Sequence, residues 1–328
     1  MNQLKGVHHV TAITSSAEKI YEFFTYVLGM RLVKKTVNQD DIQTYHLFFA
    51  DDLGNPGTDM TFFDFQGIGK AKKGTNEISR TGFRVTSDEA LTYWAKRFDH
   101  YKVKYEPIKT FLGRKVLYFE DFDAQSYALF SDEGIPGVEA GVPWEKGPVP
   151  NEYAITGLGP IFLRVDRLAS MDKVLTEQMM MRKVLTDGAF TLYEMGEGGN
   201  GASVIVEENT DMSHALQGYG SVHHVAFRVD DKKALDQWTA RLNDIGVPNS
   251  GFVERFYFKS LYARLYRSIL FEFATEGPGF MTDEETYETL GETLALPPKL
   301  KDHRAYIESV VRPIDTVRSS KTFKKETF

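Results

Sequence analysis

The sequence predicts an α+β protein of four βαβββ modules, forming two domains of curved, mostly antiparallel sheet. Three observations carry that expectation. Four segments repeat one order: a short β-rich run, a polar turn and an amphipathic helix. Each helix is followed by short apolar runs cut by turn residues. The opening motif Val7-His8-His9-Val10 returns in the last segment as Val222-His223-His224-Val225.

In the first module the run 6–13 precedes a helix from about Ala17, which stops at Leu28-Gly29-Met30. Runs 45–49 and 61–65 then flank an Asn55-Pro56-Gly57 turn. The second module has the run 80–85, a helix from about Asp88, and strands at 115–119 and 127–130. A Pro- and Gly-rich stretch from Gly134 to Pro150 reads as the linker. The third module has the run 158–165, a helix from about Leu168, and strands at 190–193 and 202–206 around a Gly-rich turn. The fourth has 222–229, a helix from about Lys232 that stops at Ile245-Gly246-Val247, and the apolar run 268–274. Past Phe280 the pattern changes: Thr282-Asp283-Glu284-Glu285 reads as a helix cap with a charged first turn, and Leu296-Pro297-Pro298 precedes a helix over 301–310. Residues 319–328 are polar enough to fray. The division expected is 1–148, 149–280 and a helical tail at 281–328.

Composition narrows the functional classes. With 42% hydrophobic and 26% charged residues the chain has the balance of a globular protein, and no apolar run is long enough to span a bilayer. No charged-then-apolar leader is present, so a soluble, cytoplasmic protein is expected. Thirty-nine Lys and Arg against 46 Asp and Glu give a net charge of −7, which argues against nucleic acid and anionic membranes as partners. There is no cysteine. Disulfides, thiolate zinc sites and cysteine nucleophiles are therefore excluded.

Strand alternation brings the chemistry together. Val225, Phe227 and Val229 make one apolar face, leaving His224 on the other with Ala226 and Arg228. His9 shares a face with Thr11 by the same parity. In Ser268-Ile269-Leu270-Phe271-Glu272-Phe273-Ala274 the aromatic residues face the helices, so Glu272 points to the concave side. A buried carboxylate needs a charge, a metal or a raised pKa. Two histidines and one carboxylate form the ligand set of a mononuclear metal site with open positions. A lone strand histidine is more often a satisfied core residue than a ligand, but the duplicated pair with a matching acid favours His9, His224 and Glu272 as ligands. His8 and His223 are expected on the other face or the rim, as donors to those ligands. Asp64 holds in module one the place of Glu272, with a strand-end role the more economical reading.

These residues resemble the vicinal oxygen chelate superfamily, and more narrowly its ring-cleaving, extradiol-type dioxygenases acting on hydroquinones. The resemblance rests on Gly6-Val7-His8-His9-Val10-Thr11, Ser221-Val222-His223-His224-Val225-Ala226-Phe227 and Leu270-Phe271-Glu272-Phe273-Ala274-Thr275, and reaches Leu296-Pro297-Pro298 and His303-Arg304-Ala305 in the tail. It implies Fe(II) on His9, His224 and Glu272, with Zn, Mn or Ni able to stand in after purification. The segment 255–262 resembles the stretch that supplies Arg255 and Tyr262 to the substrate, with His8 and His223 as acid–base or outer residues. Where the family continues with Phe-Arg-Glu-Pro-Gly-Gly, this chain has Ala263-Arg264-Leu265-Tyr266-Arg267-Ser268, which bears on the ring substituent rather than the ligands.

The chemistry so implied joins a phenolate and O2 at one ion, with His223 or His8 as base, Arg255 stabilising negative charge and Tyr262 holding or protonating the oxygenated intermediate. Expected partners are a small aromatic substrate and O2, with a homo-oligomer open, in quinone detoxification or aromatic degradation. The alternative is a glyoxalase-type metal lyase or thiol transferase on the same scaffold.

Overall fold

The computed structural model describes residues 3–283 and 285–328. Module one runs β1 (Val7–Ile13), α1 (Ala17–Glu22), β2 (Arg31–Asn38), β3 (Asp41–Ala50) and β4 (Asp59–Phe63). Module two has β5 (Glu77–Val85), α2 (Asp88–Tyr101), β6 (Lys109–Phe111), β7 (Arg114–Glu120) and β8 (Ser126–Ser131). Module three has β9 (Ile155–Val165), α3 (Leu168–Lys173), β10 (Arg182–Asp187), β11 (Phe190–Glu194) and β12 (Ser203–Glu208). Module four has β13 (Ser221–Val229), α4 (Lys232–Asp244), β14 (Val253–Glu254), β15 (Lys259–Tyr266) and β16 (Ile269–Thr275).

The helices begin where side chains can take up the free N–H groups of a first turn. Ser16, Ser87 and Asp231 each accept from a backbone N–H three residues on. α1 and α3 run straight into single π-helical turns, Phe23–Val27 and Val174–Gln178. α2 and α4 stay regular and bury Trp94 and Trp238 completely.

Two eight-stranded sheets result, ordered β14-β15-β16-β13-β1-β4-β3-β2 and β10-β11-β12-β9-β5-β8-β7-β6. Module one therefore pairs with module four, and module two with module three. The division at residue 148 separates modules along the chain, yet each sheet takes four strands from either side of it. The physical reason is the edge each module leaves: its first strand pairs with only one sister strand and is buried on both faces, so its second row of backbone groups needs a partner. β1 finds β13 and β5 finds β9, both antiparallel.

Between sheets and helices lies the main core, including Phe24, Trp94, Phe227, Trp238 and Phe271. The concave face of the second sheet is packed solid by Val116, Tyr118, Phe130, Phe162 and Ile205. That of the first carries Val33, Phe48, Tyr257, Phe258 and Phe280, and beside them leaves open space.

The tail differs from expectation twice. No α-helix starts at Thr282; two 3-10 turns, Phe280–Thr282 and Tyr287–Thr289, stand there, and Glu284 lies outside the described residues. Asp283 and Glu285 serve Lys34 instead, at 2.7 and 2.5 Å from its Nζ. The helix expected at 301–310 is present as a 3-10 segment, Pro298–His303, leading into α5 (Arg304–Val310). Residues 319–328, expected to fray, are met by contacts from distant parts of the chain. Arg97 holds the Glu326 carboxylate at 2.5 Å, Tyr101 donates to it, and Lys325 donates to the Val149 carbonyl at 2.8 Å. Those partners lie far away in sequence, so local polarity could not reveal them.

Candidate metal centre

Simple alternation would set the two histidines of each pair on opposite faces. The register between β1 and β13 slips at both pairs: Val7 and His9 face the adjacent Phe227 and Ala226, and Thr11 and Ala12 face His224 and Val222. His8 and His223 are thus the extra residues of two β-bulges, which frees each to turn toward its neighbour. His8 Nδ1 lies 2.9 Å from His9 Nδ1, and His223 Nδ1 lies 2.8 Å from His224 Nδ1. The expectation of the other face or the rim is corrected for His8, which is buried against His9, while His223 borders the open cavity; a bulge has no signature in the apolar pattern.

β16 runs parallel to β13 and sets Glu272 beside Ala226, with Tyr262 of β15 on its other side. The carboxylate is fully buried. His9 Nε2 and His224 Nε2 each stand 3.0 Å from Glu272 Oε2, and 3.3 Å from each other. The three ligands inferred from the sequence therefore converge on one point.

Their proton positions follow from the surroundings. His8 is buried and held neutral, its pKa lowered to about 3 by burial and by His9. Its Nε2 is 3.0 Å from the Thr275 carbonyl, which only accepts, so the single proton of His8 sits on Nε2. His8 Nδ1 then accepts from His9 Nδ1–H, leaving the His9 Nε2 lone pair aimed at Glu272. His223 meets His224 through the same Nδ1–Nδ1 contact, but among the described residues no carbonyl on its Nε2 fixes the tautomer. Neither Glu272 oxygen receives a hydrogen bond. His224 Nε2 also lies 3.1 Å from Thr11 Oγ1, itself 2.7 Å from Thr61 Oγ1.

Burial by itself would raise the Glu272 carboxyl; its interactions with the facing His9 and His224 outweigh that and hold the group well below its ordinary range. The Thr275 carbonyl, through His8, fixes a tautomer that leaves His9 Nε2 bare toward the carboxylate. A buried carboxylate without a hydrogen bond, opposite two imidazole Nε2 atoms, fits a metal ion.

The centre forms the end of a cavity of about 320 Å³, lined by His46, Phe48, Phe63, Phe258 and Leu270 and by the polar groups of His223, Arg255 and Tyr262. That volume lies near the lower bound for small-molecule sites, about 300 Å³, and suits a single ring. Arg255 Nε donates to Tyr262 Oη at 3.1 Å and its Nη2 pairs with Asp40 at 2.9 Å on the mouth. Tyr262, its pKa raised by burial and by Glu272, keeps its proton and can donate it into the cavity. The two histidines left over by the ligand set differ. Both nitrogens of His8 are taken, whereas His223 borders the cavity and, among the described residues, no group takes its Nε2.

Sequence reasoning passed over His46, which lies between Phe48 and Phe63 at ring distances of 4.0 and 4.4 Å and contacts Thr61 Oγ1 at 2.9 Å. Alternation along β3 puts it on one face with Phe48, a signal that was available. Asp64 is not the counterpart of Glu272. Equating His9 with His224, the strand pairings make that counterpart Thr61, opposite Thr11. Asp64 instead accepts from the Tyr45 N–H at 2.7 Å. Burial pushes its carboxyl from 3.8 up to about 6. Between those values the folded state holds a proton that the unfolded state has released, so stability falls as pH rises through the window. Asp64→Asn is expected to flatten that dependence and to be more stable than the parent at pH 8 by on the order of 2 kcal/mol. Urea unfolding at pH 4 and pH 8 measures it; parallel pH profiles would disprove it.

Among the described residues the second sheet has no such centre. Aligning its ladders on those of the first puts Arg80 where His224 stands, Ala128 where Glu272 stands and Tyr118 where Tyr262 stands. Arg80 lies 3.7 Å over the Tyr118 ring, filling the space with packing.

Comparison with known proteins identifies the family. The Glyoxalase/Bleomycin resistance protein/Dioxygenase superfamily matches residues 6–124. A Bacillus subtilis (strain 168) protein named as the ring-cleaving dioxygenase MhqA is 43% identical over 317 residues, covering 95% of this chain and 99% of the relative. The chain belongs to the glyoxalase/dioxygenase superfamily. A second relative in that superfamily, the chlorohydroquinone/hydroquinone 1,2-dioxygenase of Sphingobium indicum, is 31% identical and covers 91% of this chain and 93% of its own. A crystal structure described as a dioxygenase from Bacillus subtilis superposes with a TM-score of 0.88 at 31% identity, over 97% of this chain and 99% of that one. Glyoxalase I from Zea mays, 14% identical with a TM-score of 0.59 over 83% of this chain and 92% of its own, shares the fold.

Proposed function

We propose that this chain is an Fe(II)-dependent, extradiol-type dioxygenase that opens a hydroquinone-like ring with O2. The observation that carries the reading is the convergence of His9, His224 and Glu272 at the end of an aromatic-walled cavity that Arg255 and Tyr262 also enter. The names of its relatives, a ring-cleaving dioxygenase and a hydroquinone 1,2-dioxygenase, support it. Ferrous iron on three protein ligands would supply a path for electron density from ring to dioxygen. The remaining work falls to the chain. Phe48, Phe63 and Phe258 exclude water and hold the ring. Arg255 offers its charge to a ring oxygen that has lost its proton, and Tyr262 Oη–H donates to the same region. His223, with Nδ1 engaged by His224, presents Nε2 to the cavity as the proton-carrying position. The proposed setting is the cytoplasm, in quinone detoxification or aromatic degradation. No helix among the described residues is long and apolar enough to cross a membrane.

The two outer histidines should separate experimentally. His223→Gln is expected to lower kcat by about 10²–10⁴-fold while metal is retained, the loss of an acid–base group. His8→Ala should weaken metal affinity by about 10–100-fold, because the tautomer of His9 is no longer set. Metal titration alongside turnover distinguishes them, and equal effects of both variants on both quantities would refute the assignment.

Oxygen uptake by anaerobically iron-loaded protein given hydroquinone tests the function. One O2 consumed per ring opened, lost in His224→Ala, is the expected result. Thiol-dependent turnover without oxygen use would replace the proposal with a lyase or transferase.

A further inference from the structure

Behind the catalytic cavity lies a second pocket, of about 380 Å³, and the two share His223 and Leu270 as wall residues. Its character differs from that of the first. Glu77, Gln217, Ser268 and Arg264 face it. Glu77 is already engaged, by the Gly74 N–H at 3.1 Å and by Arg164 at 3.2 Å, and Gln217 donates to the Val222 carbonyl. Arg264 gives one hydrogen bond among the described residues, to the Ser268 carbonyl, and has no carboxylate partner there. Among the described residues lining the pocket, Arg264 is thus the one cation without a carboxylate partner.

The strand ladder connects the two spaces. Tyr262 and Glu272 stand opposite each other on β15 and β16. Arg264 is two residues beyond Tyr262, and Leu270 is two residues before Glu272 on its antiparallel neighbour. Both steps lead in the same direction, about 7 Å along β16; a register slip between Ala263 and Tyr266 puts Arg264 at a bulge, and Arg264 and Leu270 both line the second pocket. Passing from the metal centre over Leu270 thus arrives at Arg264.

We propose that this second pocket is a substituent subsite of the same reaction centre. It takes a hydroquinone that bears a short flexible arm ending in a carboxylate; Leu270 governs passage of the arm and Arg264 binds its charge. The inference rests on the dioxygenase reading for the ring's identity but concerns binding, which can be measured without turnover.

The test is anaerobic calorimetry on zinc-loaded full-length protein with hydroquinone, a 2-alkylhydroquinone and a (2,5-dihydroxyphenyl)alkanoate of equal arm length. The acid-ended ligand is expected to bind several-fold to about tenfold more tightly than the neutral one. Arg264→Gln, an exposed position that should not disturb folding, is expected to abolish that difference. Leu270→Trp should weaken both arm-bearing ligands more than it weakens hydroquinone. Equal affinity of the acid-ended and neutral ligands for the parent protein, or a preference that survives Arg264→Gln, would overturn the proposal. Selective binding of the acid-ended ligand without oxygen uptake by the iron-loaded form would leave the subsite standing and remove the dioxygenase.

Discussion

Glu272→Gln is expected to yield a folded protein that no longer retains its metal and turns over more than about 100-fold more slowly. Altering a group that merely orients a ligand already costs about 10–100-fold, and Glu272 is itself the anionic donor. The variant should fold because the amide can donate to the lone pairs of His9 and His224, which face Glu272 Oε2 at 3.0 Å. Stability should therefore diverge by metal state. Without metal the variant melts at or above the parent's temperature, since a buried charge has gone. With metal at about a hundred times its Kd, the parent gains about 2.7 kcal/mol by linkage and the variant gains almost nothing. Metal content after desalting and melting curves with and without added ion measure both effects. A variant that keeps stoichiometric metal and near-parental turnover would remove Glu272 from the ligand set.

The largest loss of stability should come from Lys34→Met, at about 3–5 kcal/mol. Lys34 is fully buried on β2 and neutralises both Asp283 and Glu285. Its loss would leave two carboxylates facing each other in a closed site. The effect should reach the cavity, because Asp283 also accepts from Tyr257 Oη at 2.9 Å and Tyr257 forms part of the cavity wall. Adding Asp283→Asn and Glu285→Gln to Lys34→Met should recover much of the loss, since removing a whole charge cluster costs less than breaking it. Chemical denaturation of the single and triple variants decides the matter. A single variant within 1 kcal/mol of the parent, a threshold set by exposed pairs, would show that the cluster contributes little.

The candidate metal ligands were legible because each signal was local. A duplicated His-His pair and one acid in an otherwise apolar strand are visible in any window of ten residues, and alternation puts His9, His224 and Glu272 on one face. Lys34 was not legible. On sequence, Arg31-Leu32-Val33-Lys34-Lys35 reads as half polar, and only the folded-back tail 249 residues later makes a buried lysine tolerable. Asp64 misled for a related reason: its place in the string resembles that of Glu272, while strand pairing gives that position to Thr61.

By itself the sequence determined the modules, their helices and the residues able to bind a metal, since hydrophobic period and residue chemistry are properties of short segments. Only the tertiary structure decided which modules share a sheet, and which histidine of the outer pair remains open to the cavity. Both outcomes depend on register. A bulge of one residue between β1 and β13 reverses the direction of a side chain, and the hydrogen bond from His8 to Thr275 requires strands 267 residues apart to meet.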